Sequence, residues 1–147
     1  MAAGIGSRLK RLSGNKPNCL IEANGETLIS RAVSLLQQRG IDSICGVTGY
    51  KSECIHDELG DRVSYFHNPY YEVTNSIASL WLAREMLSSD VILMNADIFY
   101  ETAVLDMAMA QTSRAVMLSD CTRIKDADFR FGVQADRILI TGNQLSD

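Results

Sequence analysis

The sequence predicts an α/β fold, a three-layer α/β/α arrangement with a mostly parallel, Rossmann-like sheet and a β-hairpin near the C-terminus. Short apolar runs of strand length alternate with amphipathic segments of about 8–12 residues, which is typical of right-handed βαβ units. The chain has 147 residues, 46% of them hydrophobic, which is enough for one buried core. We therefore expect a single domain over residues 1–147. Because only three residues precede the first glycine, we expect it to be an incomplete one.

The first half of the chain carries helix and strand signals in alternation. Apolar residues recur at helical spacing after Thr27, and Gly40 follows them as a stop signal. The apolar run 44–47 leads into Thr48-Gly49-Tyr50, which is typical of a buried strand that feeds a turn. The predicted elements are a helix over 27–40, a strand over 44–47, a helix over 52–59 that stops at Gly60, and a strand over 63–66.

The second half continues the alternation and then changes character. The most hydrophobic strand, 91–94, ends at Asn95-Ala96-Asp97, and two short β-type runs close the chain. The predicted elements are a helix over 76–87 capped by Thr74 or Asn75, the strand over 91–94, a helix over 102–111, a strand over 115–118, and a hairpin of 129–134 with 137–141. The helix over 76–87 is expected to bury one stripe of apolar side chains. These are Ile77, Leu80, Trp81 and Ala83 or Leu87.

Composition excludes several classes of function. The net charge of −4 argues against a general nucleic-acid or anionic-membrane binder, and no apolar run approaches the ~20 residues that cross a bilayer. The four cysteines lack metal-ligand or disulfide spacing, so we interpret them as reduced thiols. We expect a cytoplasmic protein without nucleic-acid or membrane partners. Incomplete sheet edges would favour a homo-oligomer.

The first 18 residues differ from the rest of the chain. They hold four cations, three glycines and no carboxylate, a combination that favours a polyphosphate ligand. Neither the P-loop pattern nor the dinucleotide pattern G-x-G-x-x-G is present. A flexible basic tail is the alternative. Because ligands of parallel sheets lie at the carboxyl ends of the strands, one sheet edge should gather the loop 4–8, Thr48-Gly49-Tyr50, the helix start at 74–76, and Asp97.

Five phrases carry a resemblance to a known family: AAGIGSRL, KPNCLIEANGETLISR, GIDSICGVTGYK, HNPYYEVTNSIASLWLAR and LMNADIFY. In order and spacing they resemble the nucleotidyltransferases, particularly the branch similar to sugar-phosphate and phosphocholine cytidylyltransferases. The resemblance implies a fold of the nucleotidyltransferase type. It also implies transfer of a nucleotidyl group, CMP from CTP being favoured, to a small phosphorylated acceptor such as phosphocholine or a sugar phosphate, with Mg²⁺ as cofactor and pyrophosphate as product.

The resemblance also assigns residues. Asp97 matches the strand-end aspartate that holds Mg²⁺, and Arg8 matches the arginine on the triphosphate. The residues that match the nucleotide-binding segments are Ala3, Gly4, Gly6, Ser7, Arg8, Thr74, Asn75 and Ser76. Asp97 could otherwise be a turn aspartate, and the helix start an ordinary N-cap.

One position departs from the family pattern. The family has Pro followed by Lys, whose ammonium contacts the transferring phosphate, whereas this chain has Lys16-Pro17-Asn18. Because an amide carries no charge, the catalytic cation would have to be Lys16. The alternatives are a non-catalytic nucleotide-binding fragment of such an enzyme, a dinucleotide-dependent oxidoreductase, and a structural protein with a basic tail.

Overall fold

The structure is a computed structural model that describes residues 1–6, 14–120, 130–135 and 137–142. The chain forms two compact units, Met1–Thr102 and Ala103–Asp147. The first unit contains β1 (Glu22–Ala23), β2 (Glu26–Thr27), α1 (Leu28–Gln37), β3 (Cys45–Thr48), α2 (Ser52–Leu59), β4 (Ser64–His67) and α3 (Ser76–Leu82). Helix α4 (Thr102–Met109) begins at the boundary, and the second unit also contains β5 (Arg130–Gln134) and β6 (Arg137–Gly142).

A parallel sheet lies in the first unit. Strands β3 and β4 pair in parallel, with Thr48 opposite His67, and Ala2 forms a parallel bridge to Thr48 on the other side of β3. The Met1 nitrogen donates to Met94 O at 2.8 Å, and Ala96 N donates to Met1 O at 3.0 Å. This pair of bonds is the parallel pattern, and it adds the segment 94–96 beside residues 1–3.

The spatial order is therefore β4, β3, the segment 1–3, and the segment 94–96. Numbered along the chain, these are the third, second, first and fourth parallel segments. The order reverses beside residues 1–3, which is the topological switch point of a Rossmann-like sheet. The predicted α/β class and parallel sheet are confirmed.

Helix α1 shows why these residues form a helix at this place. Thr27 is its N-cap, and its hydroxyl accepts from Ser30 N at 3.1 Å, as a helix start requires. Its apolar side chains are buried on one face. The hydrophobic core of the first unit combines Ile29 and Val33 of this helix with Ile55 and Leu59 of α2 and with Val63.

Most predicted elements are confirmed within one to three residues. Helix α2 spans the predicted 52–59, and α4 ends at Met109, two residues early. The hairpin is formed by β5 and β6 with antiparallel pairing. Among the described residues, no helix has the length and apolarity that a membrane span requires.

Two predicted strands are wrong. The structure assigns no strand to 91–94 or to 115–118, although both runs are strongly apolar. Within the described residues, the backbone bonds found beside this run are those of Met1 to Met94 and Ala96. In the second run Val116, Met117 and Leu118 are exposed. An apolar run becomes a strand only where a neighbouring backbone pairs with it.

The predicted inward stripe of the helix over 76–87 is wrong for Ile77 and Trp81, which are 75% and 66% exposed. Of its members, Ala83 is buried as predicted, and Ser79, which was not predicted, is buried as well. The α-helix ends at Leu82, and a 3₁₀ turn, Arg84–Ser88, follows. The opposite face of α3 is the buried one because Ser79 bonds to Asn68 in the interior.

Candidate functional site

One row of residues runs along the carboxyl edge of the parallel sheet. Because Thr48 lies opposite both His67 and Ala2, the next residues, Gly49, Asn68 and Ala3, share one level. The bonds of Met1 to Met94 and Ala96 bring Asp97 to the same level on the other side of Ala3. The edge therefore reads Asn68, Gly49, Ala3, Asp97, with Ala3 leading directly into the glycine loop.

The glycine loop leaves the sheet at the switch point. Ala3 is buried and Gly4 is exposed, and Gly6 has a φ of +66°, a conformation that glycine adopts without strain. The side chain of Asn18 lies against Gly6, since a Cβ added there would lie 2.5 Å from Nδ2 and 2.6 Å from Oδ1. The loop thus depends on glycine for both its conformation and its space.

Asn18 is a buried polar side chain with an unsatisfied acceptor. The residue is 8% exposed, and its Oδ1 has no hydrogen-bond partner in the part of the chain that the structure describes. A buried amide oxygen without a donor is costly. The resemblance predicts lysine at this position, whereas the side chain here is uncharged.

The turn after β3 packs against the first segment. Tyr50 N donates to Ala3 O at 3.1 Å, and a Cβ at Gly49 would lie 2.7 Å from Ala3 O and 2.7 Å from Tyr71 Cβ. The Tyr50 hydroxyl donates to Asn15 O at 3.3 Å. Tyr50 therefore bridges the glycine loop's strand and the turn that carries Lys16.

Of the two predicted cations, Lys16 and Arg8, the structure describes Lys16. Lys16 is exposed, in a turn that begins at Gly14, one residue beyond the Asn15 carbonyl that Tyr50 holds. The expectations for Ser7 and Arg8 lie outside the described residues. The structure thus brings Lys16 to the edge where Ala3, Gly4 and Gly6 lie.

Asp97 is exposed in a turn that follows Ala96. Its charge acts on the buried thiol of Cys19: burial, and secondly the negative charge of Asp97, raise the pKa of Cys19 to about 12. Among the described residues, no group of three or more His, Cys, Asp or Glu side chains could hold a metal ion. A single exposed carboxylate suits Mg²⁺, which keeps several waters and binds one or two carboxylates together with substrate phosphates.

The loop between β4 and α3 is organised by Asn68, which is 1% exposed. Its Nδ2 donates to Thr74 Oγ1 at 3.0 Å and to Ser79 Oγ at 2.9 Å, and its Oδ1 accepts from Tyr70 N at 2.9 Å. Asn75 is the N-cap of α3 and accepts from the amides of residues 77 and 78 at 3.1 and 3.3 Å. The start of α3, residues 74–76, is therefore fixed by hydrogen bonds. The side-chain oxygen of Asn75 is used as the helix cap.

An open, largely apolar cavity of about 450 Å³ adjoins this helix start. Its walls include Asn75, Ile77 and Trp81, and the ring of Trp81 carries the Arg84 guanidinium at 4.9 Å from its centroid. The exposed apolar side chains Ile77 and Trp81 of α3 thus line an open groove instead of the core.

Sequence reasoning placed Tyr50 at this edge but missed Asn68 and Lys51. Asn68 organises the loop that carries Thr74 to Ser76, and the structure adds that Tyr50 connects two loops. Lys51 follows Tyr50 directly. The signal was available, because each follows a strand end by one to three residues, the positions where parallel sheets present their ligand-binding groups.

Comparison with known proteins gives one consistent family. The profile of the MobA-like NTP transferase domain matches residues 1–123. The CMP-5'-(3-aminopropyl)phosphonate synthase of Streptomyces rubellomurinus is 33% identical over 81% of this chain and 20% of that protein. The CTP:phosphoglutamine cytidylyltransferase of Campylobacter jejuni is 31% identical over 68% of this chain and 43% of that protein.

A solved structure is similar as well. The CTP:phosphocholine cytidylyltransferase of Streptococcus pneumoniae matches with a TM-score of 0.55 and 35% identity, over 58% of this chain and 38% of that one. The chain thus spans less than half the length of each of these three relatives. Since the family profile covers 123 of the 147 residues, this chain belongs to the MobA-like NTP transferase domain family.

Proposed function

We propose that this chain binds CTP and transfers its CMP group to a small phosphorylated or phosphonate acceptor. An acceptor oxygen attacks the α-phosphorus, the bond from that phosphorus to the bridging oxygen breaks, and pyrophosphate leaves. Such a reaction depends on positioning and charge rather than on a nucleophilic side chain. The relatives include cytidylyltransferases for phosphoglutamine and phosphocholine, which supports CTP as the donor.

The observation that carries this proposal is the row at the sheet edge. Asp97 and the start of the glycine loop lie at one level on neighbouring parallel segments, beside the switch point where such sheets bind nucleotides. In this proposal the backbone of Gly4 and Gly6 lies over the nucleotide. Ala3, Ser7 and the helix start of Thr74, Asn75 and Ser76 complete the nucleotide-binding residues.

Three charged residues act on the phosphates in this proposal, two directly and one through a metal ion. Arg8 and Lys16 bind phosphate oxygens and stabilise the negative charge that builds on departing pyrophosphate. Asp97 would hold Mg²⁺ through its exposed carboxylate. When bound, Mg²⁺ at this carboxylate would supply positive charge to offset the negative charge of the phosphates.

A second candidate function is nucleotide binding without transfer. It is favoured by one observation: Asn18 is uncharged, buried and packed against Gly6, so it cannot supply the charge that lysine supplies in the family pattern. If Lys16 does not reach the transferring phosphate, stabilisation of the transition state falls by several kcal/mol. CTP would then bind and remain intact.

The test is pyrophosphate release by the 147-residue chain with Mg²⁺. CTP, UTP, ATP and GTP are each supplied with phosphocholine, 2-aminoethylphosphonate or glucose 1-phosphate. Release that requires CTP and one acceptor supports transfer and names the acceptor. If CTP raises the melting temperature while no pair releases pyrophosphate, the second candidate function is correct. If no nucleotide has any effect, both are wrong.

The Asp97→Asn variant tests the metal assignment. It keeps the shape of the side chain and removes the charge, so Mg²⁺-dependent release should fall by about 100-fold or more. Asp90→Asn is the matched control, because Asp90 is also exposed but lies at the other end of the 91–94 run. Unchanged release by Asp97→Asn would contradict the assignment.

A further inference from the structure

Lys51 stands in an unusual position beside the proposed nucleotide site. It is the N-cap residue of α2, and its backbone is left-handed, with φ 47° and ψ 48°. Lysine rarely adopts this conformation, which favours glycine or asparagine. Strained residues of this kind cluster at functional sites, and the inference runs from the observed outlier to a role.

The neighbours of Lys51 connect it to the glycine loop. The preceding Tyr50 is bonded through its amide to Ala3 O at 3.1 Å and through its hydroxyl to Asn15 O at 3.3 Å. The Lys51 ammonium lies 5.7 Å from the centroid of the Tyr50 ring. The cation therefore belongs to the same edge as the loop and the Lys16 turn, on the β3 side of Ala3.

The charge of Lys51 is not used within the described part of the chain. The residue is half-buried, and its ammonium lies over the Tyr50 ring rather than beside a carboxylate there. An anion at this edge would therefore meet an ammonium that no described carboxylate neutralises. Asn18, the nearby position at which the family pattern has lysine, is neutral.

We propose that Lys51 binds the phosphates of the nucleotide and replaces, from the β3 side of the glycine loop, positive charge that Asn18 does not supply. This inference rests on the proposed function and adds a phosphate-binding residue to it. Asp97 and Lys51 would then approach the phosphates from opposite sides of the segment 1–3. The residues that adopt this left-handed conformation without strain, glycine and asparagine, carry no charge. Lysine at position 51 therefore adds a charge at the cost of backbone strain.

The test compares Lys51→Asn with wild type in two measurements. Asparagine tolerates the left-handed conformation, so the urea midpoint of the variant should stay equal or rise. Its affinity for CTP, measured by calorimetry with Mg²⁺, should fall by about tenfold or more, the effect of one charge-assisted contact. Affinity for CMP should fall less, because the monophosphate carries less charge.

Two further variants complete the design. Lys51→Arg keeps the charge and should recover most of the CTP affinity. Arg39→Gln removes one cation just after α1, where its guanidinium donates to Leu35 O at 3.2 Å, so it measures the effect of lowering the positive charge of the first unit. Its CTP affinity should match that of wild type.

The outcomes distinguish a failure of the role of Lys51 from a failure of the proposed function. Wild-type affinity for CTP in Lys51→Asn, or equal losses for CTP and CMP, would overturn the role of Lys51 while the proposed function stands. A parallel loss of stability and affinity would also overturn it, since that is the result of a purely structural role. If wild type binds no nucleotide, the proposed function fails and the role of Lys51 fails with it.

Discussion

The side-chain amide of Asn18 lies directly against the Cα of Gly6, so that a Cβ added at Gly6 would lie 2.5 Å from Asn18 Nδ2 and 2.6 Å from Oδ1. Gly6 also has a φ of +66°. The pair couples the glycine loop to the 3₁₀ turn Asn18–Leu20, and it keeps the amide of Asn18 buried. The amide at position 18 therefore serves packing in this chain.

Gly6→Ala should be more destabilising than an ordinary glycine substitution. Gly25→Ala is the matched control, since Gly25 has a φ of +83° and no atom within 4 Å of an added Cβ. The control should cost about 1 kcal/mol of unfolding free energy from backbone strain. Gly6→Ala should cost about 1–3 kcal/mol more from overpacking.

Urea unfolding measures both variants, and Asn18→Ala provides the internal check. In the Asn18→Ala background the excess cost of Gly6→Ala should largely disappear, because the clashing atoms are gone. An unchanged excess would contradict the packing of Asn18 on Gly6.

Asn68→Ala should destabilise the first unit and loosen the helix start of α3. The substitution removes the donors to Thr74 and Ser79 and the acceptor of Tyr70 N. At a site that is 1% exposed, the unpaired groups should cost about 2–4 kcal/mol. Urea unfolding gives the free energy, and hydrogen exchange at Ile77 and Ala78 reports the local opening.

Asn75→Ala is the control for that experiment. It removes the cap bonds to Ile77 N and Ala78 N at an exposed position, so it should cost about 1 kcal/mol. Equal costs for the two variants would contradict the role of Asn68 as the centre of the loop.

Arg62→Lys should destabilise the contact between α1 and the turn after α2. The guanidinium donates to Ser30 Oγ and Ser34 Oγ at 2.9 Å and to Gln37 Oε1 at 3.1 Å. An ammonium cannot reproduce this fork, so the loss should be about 1–2 kcal/mol in urea unfolding. Arg84→Lys, where one exposed bond to Trp81 O is recorded, should cost less than about 0.5 kcal/mol. The reverse order would refute this reading of Arg62.

The thiol of Cys19 should make stability depend on alkaline pH. Burial raises its pKa from 9.0 to about 12, so the unfolded chain releases this proton at lower pH than the folded protein. The contribution is complete below about pH 9 and is lost as the pH rises toward 12, by roughly 1.4 kcal/mol per pH unit.

Urea midpoints at pH 8 and pH 10 measure this dependence. The Cys19→Ala variant is less stable at pH 8 but should lose less stability between the two pH values than wild type. If both proteins lose the same amount, Cys19 is not the titrating group.

Much of the site could be predicted because its signals are local. Glycines with charged neighbours, and a carboxylate after an apolar run, are properties of short stretches of chain. Tyr50 was predicted at this edge, but its contact was not, and Asn68 and Lys51 were missed. The contacts of Asn68 and Tyr50 could not be predicted because their partners are distant in sequence. Asn68 bonds to Ser79, and Tyr50 to Asn15.

The sequence by itself determined the α/β class, the helices α1 and α2 and the C-terminal hairpin, because periodicity and caps are encoded within each segment. Only the tertiary structure decided that 91–94 and 115–118 are not strands and that Ile77 and Trp81 are exposed. An apolar sequence indicates only that a segment tends to be buried. Whether it is buried, and on which face, depends on the backbone and side chains that pack against it.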